Sequence, residues 1–562
     1  MYRVYQCRIV VIPLHEEETR MSTFLALRLG ATVAVIASVA LLAGCATPAD
    51  ATHRLTYAIE GANLSAGHMD PHSSQLDVSA TVQRNVLDSL VAQASDGSFV
   101  PWLATDWTIS DDQLHYTFTL REDVTFTDGE PFNAEAVKAN FDHITAPETA
   151  SAQAASMLGF AEDGGSYVDT EVVDEFTVQV NFSKPYAPFL SAVSTALLGF
   201  WSPAVLADHA DELKVGGPDI SVGTGPFILS EYTPDQEIVY TANPDYKWGP
   251  ENIDHSGASD IDELVVRILP ETAVRAGALT SGEVQVAGNI TPAAVESIGS
   301  GFTVNSVELP GIPYSLYLNE KYGVFADERV RQAFSIGFDA DAAVKSIFFG
   351  QYPRAWSILG PTTPNSYDAA LEGSWPYDAD KANALLDEAG WTGRDAEGYR
   401  TKDGVRLSAR WIAWTPIPDD RAALADLIQS DLKSIGFEVV REALEPAAYN
   451  EQYGPKTFDI TDWGFSGVDA DALRSHLHTE GFQNASQVSD PEVDTLLEDA
   501  VATSDVTQRA ALYTQLQEWN AQHVAIVPLY VPSLITAYSD SVENLSFDLY
   551  GRPLFYGASP GK

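Results

Sequence analysis

Hydrophobic and polar residues alternate in two early segments of the chain. Tyr116 to Leu120 and Phe176 to Phe182 place apolar side chains at every second position, which is the period of a strand with one buried face. Between them, Asn133 to Phe141 has apolar residues at helical spacing and begins with an asparagine, a good helix cap. The segment from Phe160 to Ser166 is predicted to be a glycine-rich loop.

The same two patterns alternate again further along the chain. Arg406 to Ala413 and Phe437 to Val440 are predicted strands, and Asp378 to Ala389 and Arg421 to Ile435 are predicted helices, each followed by a glycine. Strands that alternate with helices predict an α/β fold.

The amino terminus has the layout of a secretory signal peptide, predicted over residues 1–44. The apolar run Ala31 to Ala43 follows basic residues and is short for a membrane-spanning helix, which needs about 20 apolar residues. The Leu-Ala-Gly that precedes Cys45 resembles the lipobox of bacterial lipoproteins, so Cys45 is the predicted lipidation site. A plain secretory signal is the alternative. The acidic run before Met21 suggests that Met21 is the true start.

Composition narrows the possible partners. The chain has 562 residues, 45% of them hydrophobic, enough for a large core divided into two or three domains. Its 79 acidic and 32 basic residues give a net charge of −47, which would repel nucleic-acid phosphates. The two cysteines, Cys7 and Cys45, both precede the folded body, so that body contains no disulfide, thiolate nucleophile or cysteine metal cluster.

Several motifs follow one another in a characteristic order along the chain. The most specific lies within Tyr116 to Asn140 and contains Asp128-Gly-Glu-Pro131; Gly223 to Phe227 and Asn243 to Tyr246 follow. In residues and spacing these motifs resemble one family, the family 5 substrate-binding proteins of peptide and nickel ABC importers. The resemblance covers residues 56–531. It implies an extracytoplasmic, lipid-anchored and monomeric receptor at the cell surface or in the periplasm. Such a receptor captures a short peptide and delivers it unchanged to a permease and its ATPase subunits, without a cofactor.

The resemblance also implies an architecture: an α/β, periplasmic-binding-protein-like fold with three domains, two lobes and a ligand cleft between the hinged lobes. Domain I is expected at 46–87, 204–309 and 531–562, domain II at 88–203 and domain III at 310–530. Closure of the lobes around the ligand would then be driven by the higher affinity of the closed state.

Candidate ligand contacts come from the same resemblance. In peptide-binding relatives a Gly-Trp pair is followed, after two intervening residues, by an aspartate that holds the peptide ammonium. The pair aligns with Gly464 and Phe465, so the aspartate position is occupied by Val468, and Asp469 beside it is the possible replacement. The full set of predicted ligand contacts is Ser74, Gln75, Asp77, Tyr314, Trp356, Trp414, Gly464, Phe465, Ser466, Val468 and Asp469.

Other functions stay open at this stage. The aromatic residues Trp411, Trp414 and Trp463 would also suit an oligosaccharide, and a metal chelate or a role in sensing a peptide signal fits the same fold. A serine hydrolase is disfavoured because Gly464 to Gly467 lacks the Gly-x-Ser-x-Gly spacing. No metal ligand is predicted: the histidines at 476 and 478 are an incomplete set expected to be solvated, and those at 68 and 72 are interpreted in the same way.

Overall fold

A computed structural model describes residues 53–561, apart from residues 62, 75 and 160–164. The predicted signal peptide, Cys45, Gln75 and most of the predicted glycine-rich loop lie outside the described residues. Within the part that is described, no helix is both long and apolar enough to cross a bilayer.

The largest sheet combines strands from distant parts of the chain. Arg54–Ile59 pairs in parallel with Glu263–Ile268 and Val286–Ala287, and all of its residues except the first are buried. In spatial order the seven strands are Phe302–Glu308, Ser533–Ser539, Val286–Ala287, Arg54–Ile59, Glu263–Ile268, Glu237–Ala242 and Phe227–Thr233.

A four-stranded antiparallel sheet confirms the predicted early strands. Its order is Ala104–Ile109, His115–Leu120, Thr177–Phe182 and Tyr167–Asp174. Helix Ala134–Thr145 is capped as predicted, because the Asn133 side chain accepts a hydrogen bond of 3.0 Å from the Ala136 amide. One hydrophobic core, which includes Leu55 and Phe118, runs from the seven-stranded sheet into this one, so we call the two sheets together the larger lobe.

A five-stranded sheet forms the smaller lobe and has helices on both faces. Its strands, in order, are Glu438–Leu444, Ser408–Trp414, Ile460–Ser466, Gly311–Leu318 and Ile526–Tyr530. One face is covered by helices Glu328–Ile336, Ala340–Ile347, Ala379–Glu388 and Asp419–Ser434. The opposite face is covered by helices Pro446–Tyr453, Ala472–Leu477, Pro491–Val501 and Val506–His523. The strand and helix predictions for this half of the chain are confirmed.

Shorter elements complete the described chain. The remaining α-helices are Asp77–Gln83, Ala152–Met157, Phe189–Ala192, Pro203–Asp208 and Thr272–Thr280. Short 3₁₀ turns occur at Leu64–Ala66, Pro147–Thr149, Ala196–Leu198, Ala210–Glu212, Pro292–Ser297, Gly323–Ala326 and Ala369–Leu371. Small sheets are formed by Val91–Gln93 with Phe99–Pro101, by Gly393–Arg394, Arg400–Lys402 and Val405–Arg406, and by Ser546–Phe547 with Pro553–Leu554.

Two short segments connect the seven-stranded and five-stranded sheets. The chain leaves the larger lobe after Glu308 and returns after Tyr530. The two segments lie side by side, because the Leu309 amide donates to the Pro532 carbonyl over 2.8 Å. We call this paired connection the hinge. The predicted domain boundaries stay a prediction, since residues 52–562 form one compact unit by their contacts.

Candidate functional site

One end of each of the five strands lies on the side of the five-stranded sheet that is next to the hinge. Ser466 pairs with Gly311, and Tyr314 pairs with Tyr530. Carboxyl ends of strands in α/β proteins are a usual place for ligand sites, since the loops that leave them face one side. We call this region the hinge edge and define it by Gly311, Tyr314, Trp414, Leu444, Ser466 and Tyr530.

A cationic side chain at the hinge edge has unused hydrogen-bond donors. Arg421 lies in the first turn of helix Asp419–Ser434, and its guanidinium carbon lies 4.5 Å from the centroid of the Tyr314 ring. Its Nε donates to the Tyr530 hydroxyl over 3.4 Å. Its two terminal nitrogens have no hydrogen-bond partner among the described residues. Burial opposes the charge, but the Tyr530 and Tyr314 oxygens raise the pKa of Arg421, so it is a permanent cation.

A partly buried carboxyl group lies beside this cation. The Tyr314 hydroxyl donates a short hydrogen bond to Asp462, and the Tyr314 ring stacks on Tyr530 with the centroids 4.9 Å apart. Burial raises the pKa of the Asp462 carboxyl, although the Tyr314 hydrogen bond and the Arg421 charge act in the opposite direction. Because side chains alternate along a strand, Asp462 shares one sheet face with the predicted residues Gly464 and Ser466, both exposed.

The predicted aromatic residues fall in different environments. Trp414 is 50% exposed and lies 5.5 Å from the Tyr449 ring, so its indole face is open at the hinge edge. Phe465 points to the opposite sheet face, where it packs against the hydrophobic core and lies 5.6 Å from the His476 ring. Trp356 is half-buried under the Arg354 guanidinium at 4.9 Å. Trp411 is buried in the core, as predicted.

Val468 and Asp469 contact the larger lobe. The amide of Val468, which is buried, donates to the Tyr550 hydroxyl over 3.3 Å. Both Asp469 oxygens accept from Arg509, at 2.6 and 2.7 Å, and Ser191 of the larger lobe donates to one of them over 3.3 Å. Asp469 is therefore already paired in this structure and offers no free carboxylate oxygen to a ligand ammonium.

The predicted residues Ser74 and Asp77, at the start of helix Asp77–Gln83, have structural partners. The buried Ser74 hydroxyl accepts from Ser79 over 2.8 Å. Asp77 accepts from Arg552 over 2.7 Å. Arg552 stacks on the Tyr550 ring at 4.2 Å, and Tyr550 in turn contacts Val468. The structure thus links Asp77 to Val468 across the lobes through the carboxyl-terminal segment, and Ser74 lies outside that chain of contacts.

The expectation that the histidines are solvated is wrong for His476 and for His72, both of which are fully buried. The Nδ1 of His476 lies 2.8 Å from the Ala472 carbonyl, and Trp463 donates to its Nε2 over 3.1 Å. Burial lowers the pKa of His476 to about 4. The sequence pattern did not reveal the burial of His476, because Ala472–Leu477 is a short helix whose inward face lies against the sheet.

Sequence reasoning did not single out Arg421 and Asp462, which lie beside the hinge edge. Asp462 carried a usable signal, since an acidic residue within a strand that also carries Ile460, Trp463 and Phe465 is unusual. Arg421 carried none, because an arginine in a first helical turn is ordinary on a solvated helix.

Comparison with known proteins agrees with this architecture. The family model of bacterial extracellular solute-binding proteins, family 5 Middle, matches residues 98–484. The "Nickel-binding periplasmic protein" of Escherichia coli is 26% identical over 500 residues, which cover 86% of this chain and 90% of that protein. "Di/tripeptide-binding protein 2" of Pseudomonas aeruginosa is 27% identical over 540 residues, which cover 91% of this chain and 94% of that protein.

Among solved structures, NikA from Brucella suis in complex with Fe(III)-EDTA superimposes with a TM-score of 0.76 at 26% identity, covering 90% of this chain and 99% of that one. The fold is that of a two-lobed periplasmic binding protein. The chain belongs to the bacterial extracellular solute-binding proteins, family 5. The function predicted from the sequence, an extracytoplasmic receptor that supplies a small solute to an ABC importer, is confirmed at that level.

Proposed function

We propose that the solute is a short peptide with a free terminal carboxylate, and that Arg421 binds this carboxylate at the hinge edge. The observation that carries the proposal is the pair of unbonded terminal nitrogens on a half-buried guanidinium, judged among the described residues. A guanidinium presents two parallel donors that match the two oxygens of a carboxylate. In a chain with a net charge of −47, such a cation is a specific anchor for an anionic group.

The surroundings of Arg421 favour a peptide over a simple anion. Trp414 offers an exposed aromatic face at the same edge, which suits an apolar side chain. Gly464 and Ser466 are exposed strand residues, and an extended peptide can pair with exposed backbone. The name of the Pseudomonas aeruginosa relative also supports a peptide. The receptor would release this peptide unchanged to its permease, since receptor binding breaks no bond.

Calorimetry with a tripeptide and with its carboxyl-terminal amide tests the role of Arg421. We expect the wild type to bind the free acid at least about 10-fold more tightly than the amide, because a hydrogen bond to a charged group contributes about 1.5–3 kcal/mol. Arg421→Gln should weaken binding of the acid about 10- to 100-fold and abolish the preference over the amide. Arg441→Gln is the matched control, because Arg441 pairs with Asp426 on the surface of the same lobe.

Each other outcome of this experiment has a distinct meaning. If Arg421→Gln and the wild type bind the free acid with equal affinity, Arg421 is not part of the binding site. Binding of a metal chelate or an oligosaccharide, with no binding of any di- to pentapeptide, would overturn the peptide assignment. Mass spectrometry of the incubated peptide should recover it intact, and cleavage products would contradict the receptor role.

We also propose that the mature chain is a monomer held at the membrane by a lipid on Cys45. The proposal rests on the Leu-Ala-Gly-Cys sequence after the apolar run, because acyl chains anchor a protein by partition into the bilayer. In cells, Cys45→Ser should move the protein from the membrane fraction to the soluble fraction. Thr47→Ala changes a residue just after the cysteine and leaves the thiol in place, so this control should stay with the membrane. An unchanged membrane fraction for Cys45→Ser would rule out the lipid anchor.

A further inference from the structure

Three side chains of metal-ligand type meet in the larger lobe, apart from the hinge edge. Asp70 and His72 lie in the turn before helix Asp77–Gln83, and His143 lies in the last turn of helix Ala134–Thr145. One ligand atom from each lies within 4.8 Å of the other two. All three residues belong to the larger lobe, whereas Arg421 belongs to the smaller lobe.

The hydrogen bonds of His72 fix where its ring proton lies. The ring is fully buried, and its Nε2 lies 2.7 Å from the Gly199 carbonyl oxygen. A carbonyl oxygen can only accept, so a neutral ring carries its proton on Nε2 and a lone pair on Nδ1. This Nδ1 is buried and has no hydrogen-bond partner in the described part of the chain. Leaving a buried polar atom unpaired costs about 1–3 kcal/mol.

His143 presents a second lone pair by the same reasoning. The Thr149 hydroxyl donates to the His143 carbonyl over 2.6 Å, so its oxygen is left to accept from the His143 Nδ1, which lies 3.3 Å away. The Nε2 of a neutral ring then carries the lone pair. It is buried and also has no hydrogen-bond partner within the described residues. It lies 3.9 Å from the Oδ2 atom of Asp70.

Asp70 supplies an anionic oxygen next to the His143 ring. Its Oδ1 accepts from the His72 amide over 3.0 Å and from the Trp201 indole over 3.1 Å. Its Oδ2 is left facing His143. With both rings neutral, the unpaired nitrogens of His72 and His143 and the Asp70 carboxylate belong to one cluster, an arrangement that a cation would stabilise.

We propose that Asp70, His72 and His143 bind a divalent first-row transition metal ion, with Zn²⁺ as the ion to test. Two imidazole nitrogens and one carboxylate oxygen form a donor set that suits these ions better than Ca²⁺ or Mg²⁺, which prefer oxygen. Tetrahedral bonds of about 2.0–2.2 Å would place the three ligand atoms about 3.3–3.6 Å apart. The longest present separation, up to 4.8 Å, would therefore have to shorten by about 1 Å when the ion binds.

The outer contacts of the cluster resemble those that orient metal ligands. A metal-binding histidine usually donates its other ring N–H to a carbonyl or a similar acceptor, as His72 does to Gly199 and His143 does to Thr149. Asp70 is likewise held through Oδ1 by the Trp201 indole. These contacts hold the three side chains of the cluster in their orientations.

A cavity gives the cluster access from outside. A space of about 390 Å³ is lined by both polar and apolar residues together with Asp70 and His143. Among the other lining residues are Asp142, Glu148, Leu206 and Lys214. Three protein ligands beside a cavity leave a coordination position for water or a small ligand. Because the cluster joins the turn at Asp70 to a helix of the four-stranded sheet, a bound ion would also stabilise the larger lobe.

A proton is the competing explanation for this cluster. If His143 carried a second proton on Nε2, the imidazolium would pair with Asp70 and no metal would be needed. The two explanations differ in a direct measurement, because only the first predicts saturable binding of Zn²⁺.

The experiment uses the full chain, purified without a histidine tag and stripped with a chelator. Competition against a chromophoric zinc chelator measures stoichiometry and affinity, and thermal unfolding measures the shift in Tm. We expect one Zn²⁺ per chain and a rise in Tm with Zn²⁺. His143→Gln, at the cavity wall, should weaken Zn²⁺ binding at least 10-fold and remove the Tm rise. His209→Gln, an exposed histidine paired with Glu212, should behave as the wild type.

The possible outcomes separate this site from the peptide site. His143→Gln should keep the peptide affinity of the wild type. The zinc measurement therefore tests the metal site independently of the peptide assignment. If Zn²⁺ does not bind to the wild type, or if His143→Gln binds it equally well, the metal site is refuted and the Asp70–His143 proton pair is favoured. If circular dichroism shows that His143→Gln does not fold, Asp70→Asn replaces it and should lose zinc affinity in the same way.

Discussion

At the scale of single residues, buried charges in this chain are held by specific partners. Asp469 was predicted to meet a ligand ammonium, and the structure pairs it instead with Arg509. Both side chains are largely buried, and a buried charge that loses its partner costs several kcal/mol. The pair therefore matters for stability and for the contact with Ser191 across the lobes.

Asp469→Asn should destabilise the protein by about 3 kcal/mol at pH 7, because it leaves the Arg509 charge without its counter-ion. Asp426→Asn is the control, since Asp426 pairs with Arg441 while 71% exposed, and a surface pair contributes about 0–1 kcal/mol. Urea unfolding gives both values. Equal effects of the two substitutions would contradict the buried-pair assignment.

The pH dependence of this effect has a definite sign. Burial opposes ionisation, but the Arg509 charge and its hydrogen bonds hold the pKa of the Asp469 carboxyl below its usual value. A carboxyl with a lowered folded-state pKa stabilises the fold above its unfolded pKa of about 3.9 and loses that contribution as the pH falls through the folded value. The difference between wild type and Asp469→Asn should therefore be constant from pH 7 to about pH 5 and shrink below about pH 4.

At the scale of elements, the strand that leaves the hinge depends on one glycine. Gly311 has a φ of 101°, and a Cβ there would lie 2.4 Å from the Phe465 carbonyl oxygen. The close approach lets Gly311 pair with Ser466 at the hinge edge. A side chain at this position would push apart two strands that carry the site.

Gly311→Ala should therefore lower the free energy of unfolding by more than the same substitution at a left-handed glycine that has open space around it. Gly350→Ala is the matched control, because Gly350 has a φ of 75° but open space around its Cβ position. The control should lose about 1–2 kcal/mol, and Gly311→Ala about 1–3 kcal/mol more because of the clash. Chemical denaturation measures the free energy of unfolding of both variants. A similar loss of stability in the two would show that the strands can move apart without cost and would contradict the predicted clash.

At the scale of the whole molecule, two lobes meet around a paired hinge. Contacts between them include the Ala187 amide with the Val501 carbonyl at 2.9 Å, and the Ser504 amide with Gln113 at 2.9 Å. Val501 also packs against the hydrophobic core of the larger lobe, so opening the lobes at this point would expose apolar surface as well as break polar contacts. A ligand that contacts both lobes would shift the population toward the closed state.

Small-angle scattering should detect that shift. Adding the free-acid tripeptide to the wild type should reduce the radius of gyration, because both lobes gain contacts in the closed state. The peptide amide at the same concentration should give a smaller change, and Arg421→Gln with the free acid should stay near its ligand-free value. An identical radius of gyration in all samples would rule out closure driven by the carboxylate.

Prediction from the sequence worked where the information is local. The strands around Tyr116 and Phe176 and the capped helix after Asn133 follow from residue spacing and local hydrogen bonding. The ligand residues carried over by resemblance are untested as contacts. The structure nevertheless places Phe465 against the core and pairs Asp469 with Arg509, because the face and partner of a side chain depend on strands and helices distant in sequence.

The sequence by itself determined the α/β class, the order of the elements and membership of the solute-binding family, since periodicity and motifs are properties of neighbouring residues. Only the tertiary structure decided which charges are paired. Among the described residues it left the terminal nitrogens of Arg421 free, partly buried Asp462 under Tyr314, and brought His143 to Asp70 and His72. Electrostatic and metal-binding properties depend on distances of a few ångströms, and those distances are set by how separate elements pack together.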